Sequence, residues 1–175
     1  MTRRVLASVA ALLGVMALFA GRPYRARPVV VDITAVDLAE WLRDRKPDLR
    51  IIDVRTEEQF DAYHLPRAER MDAGSLATTS FKPSETIVLV SGDERDAQSF
   101  GNRRVYVLRG GLHQWIDDVM NPTITADAPP AARAAFQRAS VVSRYFGGVP
   151  RVVDKLPVPL HDVVAAAAAV RRRGC

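Results

Sequence analysis

The sequence predicts an α/β domain over residues 29–123, in which a parallel sheet is flanked by helices. Short apolar runs alternate with segments of helical spacing along this stretch, and such alternation is typical of α/β folds. The run Thr86–Val90 is apolar throughout after Thr86, which indicates a strand buried on both faces, as in a parallel sheet. Apolar residues make up 48% of the chain and charged residues 26%, so we expect a folded globular protein.

Each element of this domain has its own signal. Thr34 can cap the first helix, with Asp37 as its partner in a variant of the capping box. Thr56, which two acidic residues follow, starts a short helix in the same way. The predicted strands are Val29–Ile33, Arg50–Val54, Thr86–Val90 and Val105–Leu108. Three helices are predicted. The first begins at Thr34, the second spans Thr56–Ala62, and the third spans Leu112–Val119, after a turn at Arg109–Gly111.

An apolar segment precedes the domain. Val5–Ala20 contains no charged residue and follows the basic residues Arg3 and Arg4, which is the layout of a secretory signal. Cleavage after Ala20 would place bulky Leu18 two positions earlier, where a small residue is usual. We therefore expect residues 1–28 to be an uncleaved membrane anchor with its linker; a cleaved secretory signal is the alternative. Arginines flank both sides almost equally, and we expect the soluble domain on the periplasmic, extracytoplasmic side of the cytoplasmic membrane.

Residues 124–175 are expected to form an α-helical extension. The composition becomes rich in alanine, with predicted helices over Ala128–Phe146 and His161–Arg173 and an extended proline-containing connector between them. These helices lack the bulk for a core of their own, so they should dock on the domain or on a partner, with Phe136 and Phe146 as anchors. The segment 128–151 is accordingly a candidate surface for a protein partner; a helix end docked on the domain is the alternative.

Charge and composition exclude several classes of protein. The basic residues that give the net charge of +5 lie at the two ends, because residues 29–170 carry 17 Lys and Arg against 20 Asp and Glu. A mildly acidic body is unsuited to binding nucleic acid, so we expect no nucleic-acid partner. Three histidines and one cysteine exclude a zinc finger and a disulfide framework. We expect neither a metal nor a cofactor.

A series of short motifs resembles the rhodanese homology domain. The motifs are Ile51–Arg55 (IIDVR), then Glu58, Phe60 and His64–Pro66, and finally Val105–Gly111 (VYVLRGG) with Trp115. Their order and spacing match the family over residues 29–120. The family carries a cysteine where a central parallel strand ends, and loop N–H groups there lower the thiol pKa. The resemblance implies transfer of sulfane sulfur from a donor such as thiosulfate to a thiophilic acceptor.

The chain departs from this family at the decisive position. Ser91 follows the strand Thr86–Val90, where the resemblance places the cysteine. A serine hydroxyl cannot form a persulfide, and it needs a base before it attacks. The binding loop is expected to comprise Ser91, Gly92, Asp93, Glu94, Arg95 and Asp96. Its acids would compete with an anionic substrate for the loop N–H groups, although acids are also favourable in the first turn of any helix.

Other residues have supporting roles in this interpretation. The resemblance implies that Asp53 and Arg55 support the pocket, mostly by tying the loop together through ion pairs and hydrogen bonds. The segment from Ser91 to Val105 is short for the family, so the helix behind the loop should end early, at Gly101. His64 is expected to have a structural role in its turn, and Trp115 should lie in the core.

Three hypotheses about function follow. The first is a membrane-tethered rhodanese-like domain without the sulfurtransferase cysteine, which acts as a binding or regulatory module and is not an enzyme. The second is a sulfurtransferase in which Cys175, the single cysteine, or a partner's thiol acts in place of Ser91. The third is a helical appendage that only organises an oligomer. The distance from Cys175 to the Ser91 loop distinguishes the first two.

Overall fold

The computed structural model describes residues 28–91, 94–160, 162 and 163. Its main feature is a five-stranded sheet with the order β1-β5-β4-β2-β3, in which every neighbouring pair is parallel. The strands are β1 (Val29–Ile33), β2 (Leu49–Asp53), β3 (Ala68–Arg70), β4 (Thr86–Val90) and β5 (Arg104–Leu108). The predicted α/β fold with a parallel sheet is therefore confirmed.

Helices cover both faces of this sheet. They are α1 (Ala35–Arg43), α2 (Glu57–Ala62), α3 (Ala73–Thr78), a 3-10 helix (Glu94–Phe100), α4 (Gly111–Trp115), which continues as a π-helix (Ile116–Met120), and α5 (Pro130–Tyr145). Both predicted caps are present, because the Thr34 hydroxyl accepts from the Asp37 N–H and Thr56 forms a capping box with Gln59. The first turns of α1 and α2 thus have partners for N–H groups that a helix leaves unbonded.

The central strand β4 divides the core into two layers. Ile87, Val88, Leu89 and Val90 are all fully buried, which confirms the expected burial of this strand on both faces. Val88 and Val90 pack in the layer that contains Leu38 of α1 and Trp115, also a core residue as predicted. Ile87 and Leu89 pack with Phe100 on the other face. This alternation follows from the two-residue period of a strand.

Helix α5 packs against the body of the same chain. Val142 is completely buried, and the Phe146 ring lies edge-on to Trp115, with 5.2 Å between centroids. Arg138 pairs with Asp37, at 2.6 Å, and with Glu40, both on α1. Phe146 is thus an anchor, as expected, whereas Phe136 is only half-buried and lies outside the core. Val142 lies in the core layer that contains Leu38 and Trp115.

A small parallel pair of strands was not predicted. β6 (Thr123–Thr125) pairs with β7 (Arg151–Val153), and α5 connects them. The predicted extended connector after α5 therefore contains a strand. The predicted anchor Val5–Ala20 and nearly all of the predicted helix His161–Arg173 lie outside the described residues.

No helix within the described ranges is long and apolar enough to cross a membrane.

Candidate functional site

Ser91 lies directly after the central strand of the sheet. β4 is flanked by β5 and β2, so Ser91 stands at the carboxyl edge in the middle of a parallel sheet. This edge is where open α/β sheets bind ligands. Gly111, at the start of α4, lies close to it, because a Cβ placed on Gly111 would be 3.5 Å from the Ser91 carbonyl oxygen. Gly111 has φ of +58°, a conformation that favours glycine.

The Ser91 side chain is held by the loop that follows it. Its hydroxyl donates a hydrogen bond to Oδ2 of Asp96, five residues later. Ser91 and Asp96 are both half-buried, so a carboxylate lies directly beside the position where the resemblance implies a thiol. A thiophilic or anionic substrate would meet a negative charge here in place of a nucleophile.

The segment after Ser91 forms a 3-10 helix and not an α-helix. Ala97 and Phe100 are buried and fix this segment on the sheet, and Gly101, with φ of +64°, ends it as expected. A 3-10 helix has poorer hydrogen-bond geometry than an α-helix and occurs in short pieces. Two members of the predicted loop, Gly92 and Asp93, lie outside the described residues.

Asp53 and Arg55 form a buried ion pair beside the end of β4. Asp53 is fully buried and lies opposite Val90 in the strand register. The Arg55 guanidinium donates two hydrogen bonds to the Asp53 carboxylate, from Nε to Oδ1 at 2.9 Å and from Nη2 to Oδ2 at 2.5 Å. The same guanidinium donates to the Tyr63 carbonyl at 2.9 Å. This pair ties the end of β2 to the chain after α2, and both charges have partners within the protein.

The predicted site residues thus fall into four groups. The structure brings Ser91 and Asp96 into contact, and it places Asp53 and Arg55 on the neighbouring strand end. Glu94 and Arg95 begin the 3-10 helix. Cys175 lies outside the described residues. Away from this edge, the His64 ring stacks on Phe60 with 4.1 Å between centroids, and its Nδ1 lies 2.9 Å from the Phe60 carbonyl oxygen.

A second feature was missed at the opposite, amino edge of the sheet. A cavity of about 430 Å³ lies between the end of α1, the turn before β3 and the end of α5. No motif indicated it, because its walls come from three separate segments. In the part of the chain that the structure describes, no three His, Cys, Asp or Glu residues are close enough together to hold a metal ion.

Comparison with known proteins agrees with the fold and the motifs. The family model described as the rhodanese-like domain matches residues 34–118. Among solved structures, the BH2092 protein of Bacillus halodurans is similar, at 15% identity and a TM-score of 0.39, over 48% of this chain and 69% of that one. No curated protein matches the chain. The motif series and the family match agree that residues 34–118 form a rhodanese-like domain.

Proposed function

We propose that this chain is a membrane-tethered rhodanese-like domain that acts by binding a partner and not by transferring sulfur. The observation that carries the proposal is the hydrogen bond from Ser91 to Asp96 at the end of the central strand. Serine offers no sulfur to accept a sulfane atom, and the neighbouring carboxylate repels an anionic donor such as thiosulfate. The loop therefore does not suit the sulfur transfer that the resemblance implies.

The surroundings of the loop support the same proposal. The guanidinium of Arg55 is already engaged by Asp53 and by the Tyr63 carbonyl, so it contributes little attraction for a second anion. The 3-10 helix that follows is only seven residues long, Glu94–Phe100. Both features lower the capacity of this edge to stabilise a bound anion or a persulfide.

The proposed tether is the apolar segment Val5–Ala20, with the domain on the extracytoplasmic side of the cytoplasmic membrane. The proposed partner surface lies in segment 128–151. Val141, Tyr145 and Val149 are each more than half exposed there, at 55%, 57% and 52%. Large apolar side chains that cluster at a surface favour contact with another protein. A reporter fused after residue 175 would establish the orientation.

The sulfur-transfer activity can be tested directly. The full chain should not convert thiosulfate and cyanide to thiocyanate above the background of a mock purification. Turnover that is lost in Cys175→Ser would contradict the proposal and support the alternative, in which Cys175 supplies the thiol. Turnover that survives in Cys175→Ser would contradict both, because the chain has no other cysteine.

A restored thiol would test the effect of Asp96. In a Cys175→Ser background, the pKa of the thiol introduced by Ser91→Cys should lie above the ordinary value of about 8.5, because the adjacent carboxylate disfavours the thiolate. Adding Asp96→Asn should lower that pKa, whereas Asp127→Asn, at an exposed acid after β6, should leave it unchanged. The pH dependence of alkylation by iodoacetamide measures it. A thiol pKa below 7 with Asp96 present would show that the loop still activates a nucleophile.

A further inference from the structure

The cavity at the amino edge of the sheet is far from the Ser91 loop. Its lining residues at the amino edge include Asp48 and Arg67, which precede β2 and β3. Ser91 follows β4 at the other edge, and a five-residue strand separates the two edges by about 16 Å. Its volume of about 430 Å³ is within the range of small-molecule sites. Whatever binds here is therefore independent of the function proposed for the loop.

The cavity wall is strained at three places. Among the described residues, the non-glycine residues with positive φ are Arg45, Asp48 and Arg67, at +52°, +53° and +64°. All three line this cavity. A left-handed backbone is unfavourable for a residue with a side chain, and such strain concentrates where ligands are held.

Arg67 is the most informative of the three. The N–H of Ala68 donates to the Leu65 carbonyl at 3.1 Å and closes a turn with Pro66 second and Arg67 third. Glycine is the usual third residue in such a turn when φ is positive. An arginine thus occupies a position whose backbone favours glycine. Among the described residues, its guanidinium makes no hydrogen bond or ion pair that would offset this strain.

The chemistry of the wall indicates the class of ligand. Arg45, Lys46 and Arg67 are cationic, and Asp48 is the one acid of the lining. Lys46 Nζ lies 4.8 Å above the Trp41 ring, so its charge is held in place by that contact. The remaining lining is apolar or aromatic and consists of Leu42, Pro47, Pro66, Tyr145 and Phe146.

We propose that this cavity binds a small oxyanion carried on a flat apolar ring, such as an aryl carboxylate or an aryl phosphate. Guanidinium groups bind both kinds of oxyanion through pairs of parallel hydrogen bonds. The exposed ring of Tyr145 and the ring of Phe146 supply surfaces against which the ligand ring packs. Because the last residues of α5 form part of the wall, the site exists only with that helix docked.

The test is a titration of the full chain, in a non-ionic detergent, with phenyl phosphate and with benzoate, followed by two-dimensional amide NMR. Saturable shifts are expected at the amides of Arg45, Asp48 and Arg67 for at least one of the two probes. Inorganic phosphate and benzyl alcohol should each bind at least ten-fold more weakly than that probe. Inorganic phosphate supplies the oxyanion without the ring, and benzyl alcohol supplies the ring without the oxyanion. Whichever aryl anion binds more tightly identifies the oxyanion that the site prefers.

Variants separate binding from folding. Arg67→Gly should weaken the better probe at least ten-fold, while the thermal midpoint stays the same or rises because the backbone strain is relieved. Tyr145→Ala should weaken it several-fold. Arg133→Ala is the control, because it also removes one positive charge, but from the first turns of α5, about 18 Å along the helix from Tyr145. This variant should bind the probe as tightly as the unchanged protein does.

Three results would overturn the proposal. The first is the absence of saturable shifts for both probes at probe concentrations up to about 10 mM, since a specific site should have a dissociation constant below this value. The second is an Arg67→Gly variant that binds as tightly as the unchanged protein. The third is an equal loss of affinity in Arg133→Ala and Arg67→Gly, which would mean that only the overall charge attracts the anion.

Discussion

The two edges of the sheet differ in how their charged groups are balanced. At the carboxyl edge, Ser91 bonds to Asp96, and Asp53 is gripped by Arg55. At the amino edge, Arg45 and Arg67 have strained backbones, and within the described structure their guanidinium groups make no ion pair. In the described structure, Arg55 of the family's motifs is thus already paired with an acid, whereas Arg45 and Arg67 are not. Motifs that tie a loop together also hold the fold, as Arg55 does where it joins Asp53 at the end of β2 to the Tyr63 carbonyl.

The largest expected effect concerns the ion pair of Asp53 and Arg55 at the carboxyl edge. Arg55→Ala should lower the free energy of unfolding by about 3–5 kcal/mol, because it leaves the fully buried Asp53 carboxylate without its partner. Arg43→Ala is the matched control, since Arg43 also binds its partner Asp44 bidentately, but 61% of the Asp44 side chain is exposed. That change should cost less than about 1 kcal/mol. Urea unfolding measures both, and similar losses in the two variants would contradict the distinction.

The second effect concerns α5, whose last residues line the cavity at the amino edge. Phe146→Ala should destabilise the protein by about 2 kcal/mol, less than the 3–5 kcal/mol typical of a fully buried phenylalanine, because the ring is only half-buried against Trp115. The neighbouring Tyr145→Ala should change stability by no more than about 0.5 kcal/mol. If Tyr145→Ala proves the more costly in thermal or urea unfolding, the assignment of one ring to packing and the other to binding is wrong.

The smallest effect concerns the contact between α1 and α5. The Thr34 hydroxyl and, next among the favourable contacts, Arg138 hold the pKa of Asp37 below its ordinary value. A carboxyl group whose pKa is lower in the folded protein stabilises the fold above its unfolded pKa, near 3.9, and this contribution is lost as the pH falls through the folded pKa. Asp37→Asn should therefore reduce stability at pH 7.

The Asp37 contribution is modest, because its side chain is 39% exposed and water screens the ion pair. We expect a loss of about 1 kcal/mol or less at pH 7, which shrinks as the pH falls through the lowered pKa of Asp37. Urea unfolding at pH 7 and pH 2.5 checks this. A difference between the two proteins that grows on acidification would have the wrong sign for this explanation.

Much of the domain was predictable from local signals. β1 and β4 were predicted with the bounds that the structure has, because each is a short, mainly apolar run that a polar or helix-capping residue follows. The caps at Thr34 and Thr56 were predictable for the same reason, since a cap acts within one turn. The shortened segment after Ser91 was evident in the spacing, although its 3-10 geometry was not.

Short elements and the strand order were not predictable. β3, β6 and β7 have three residues each, too few to show a period of two. β6 and β7 pair across α5, so neither strand has a local reason to form. The contact of Ser91 with Asp96 lies within the predicted loop, but only the fold of the 3-10 helix brings the two side chains together.

The sequence by itself determined the class of fold, the family to which residues 34–118 belong and the serine at the decisive position, because each depends on residue types at fixed spacings. The tertiary structure decided which charges are paired and which are left open to a ligand. Pairing depends on distances between side chains that are far apart in the chain, as between Arg138 and Glu40. The cavity has the same origin, since Arg45, Arg67 and Tyr145 come together only when three segments pack at one edge of the sheet.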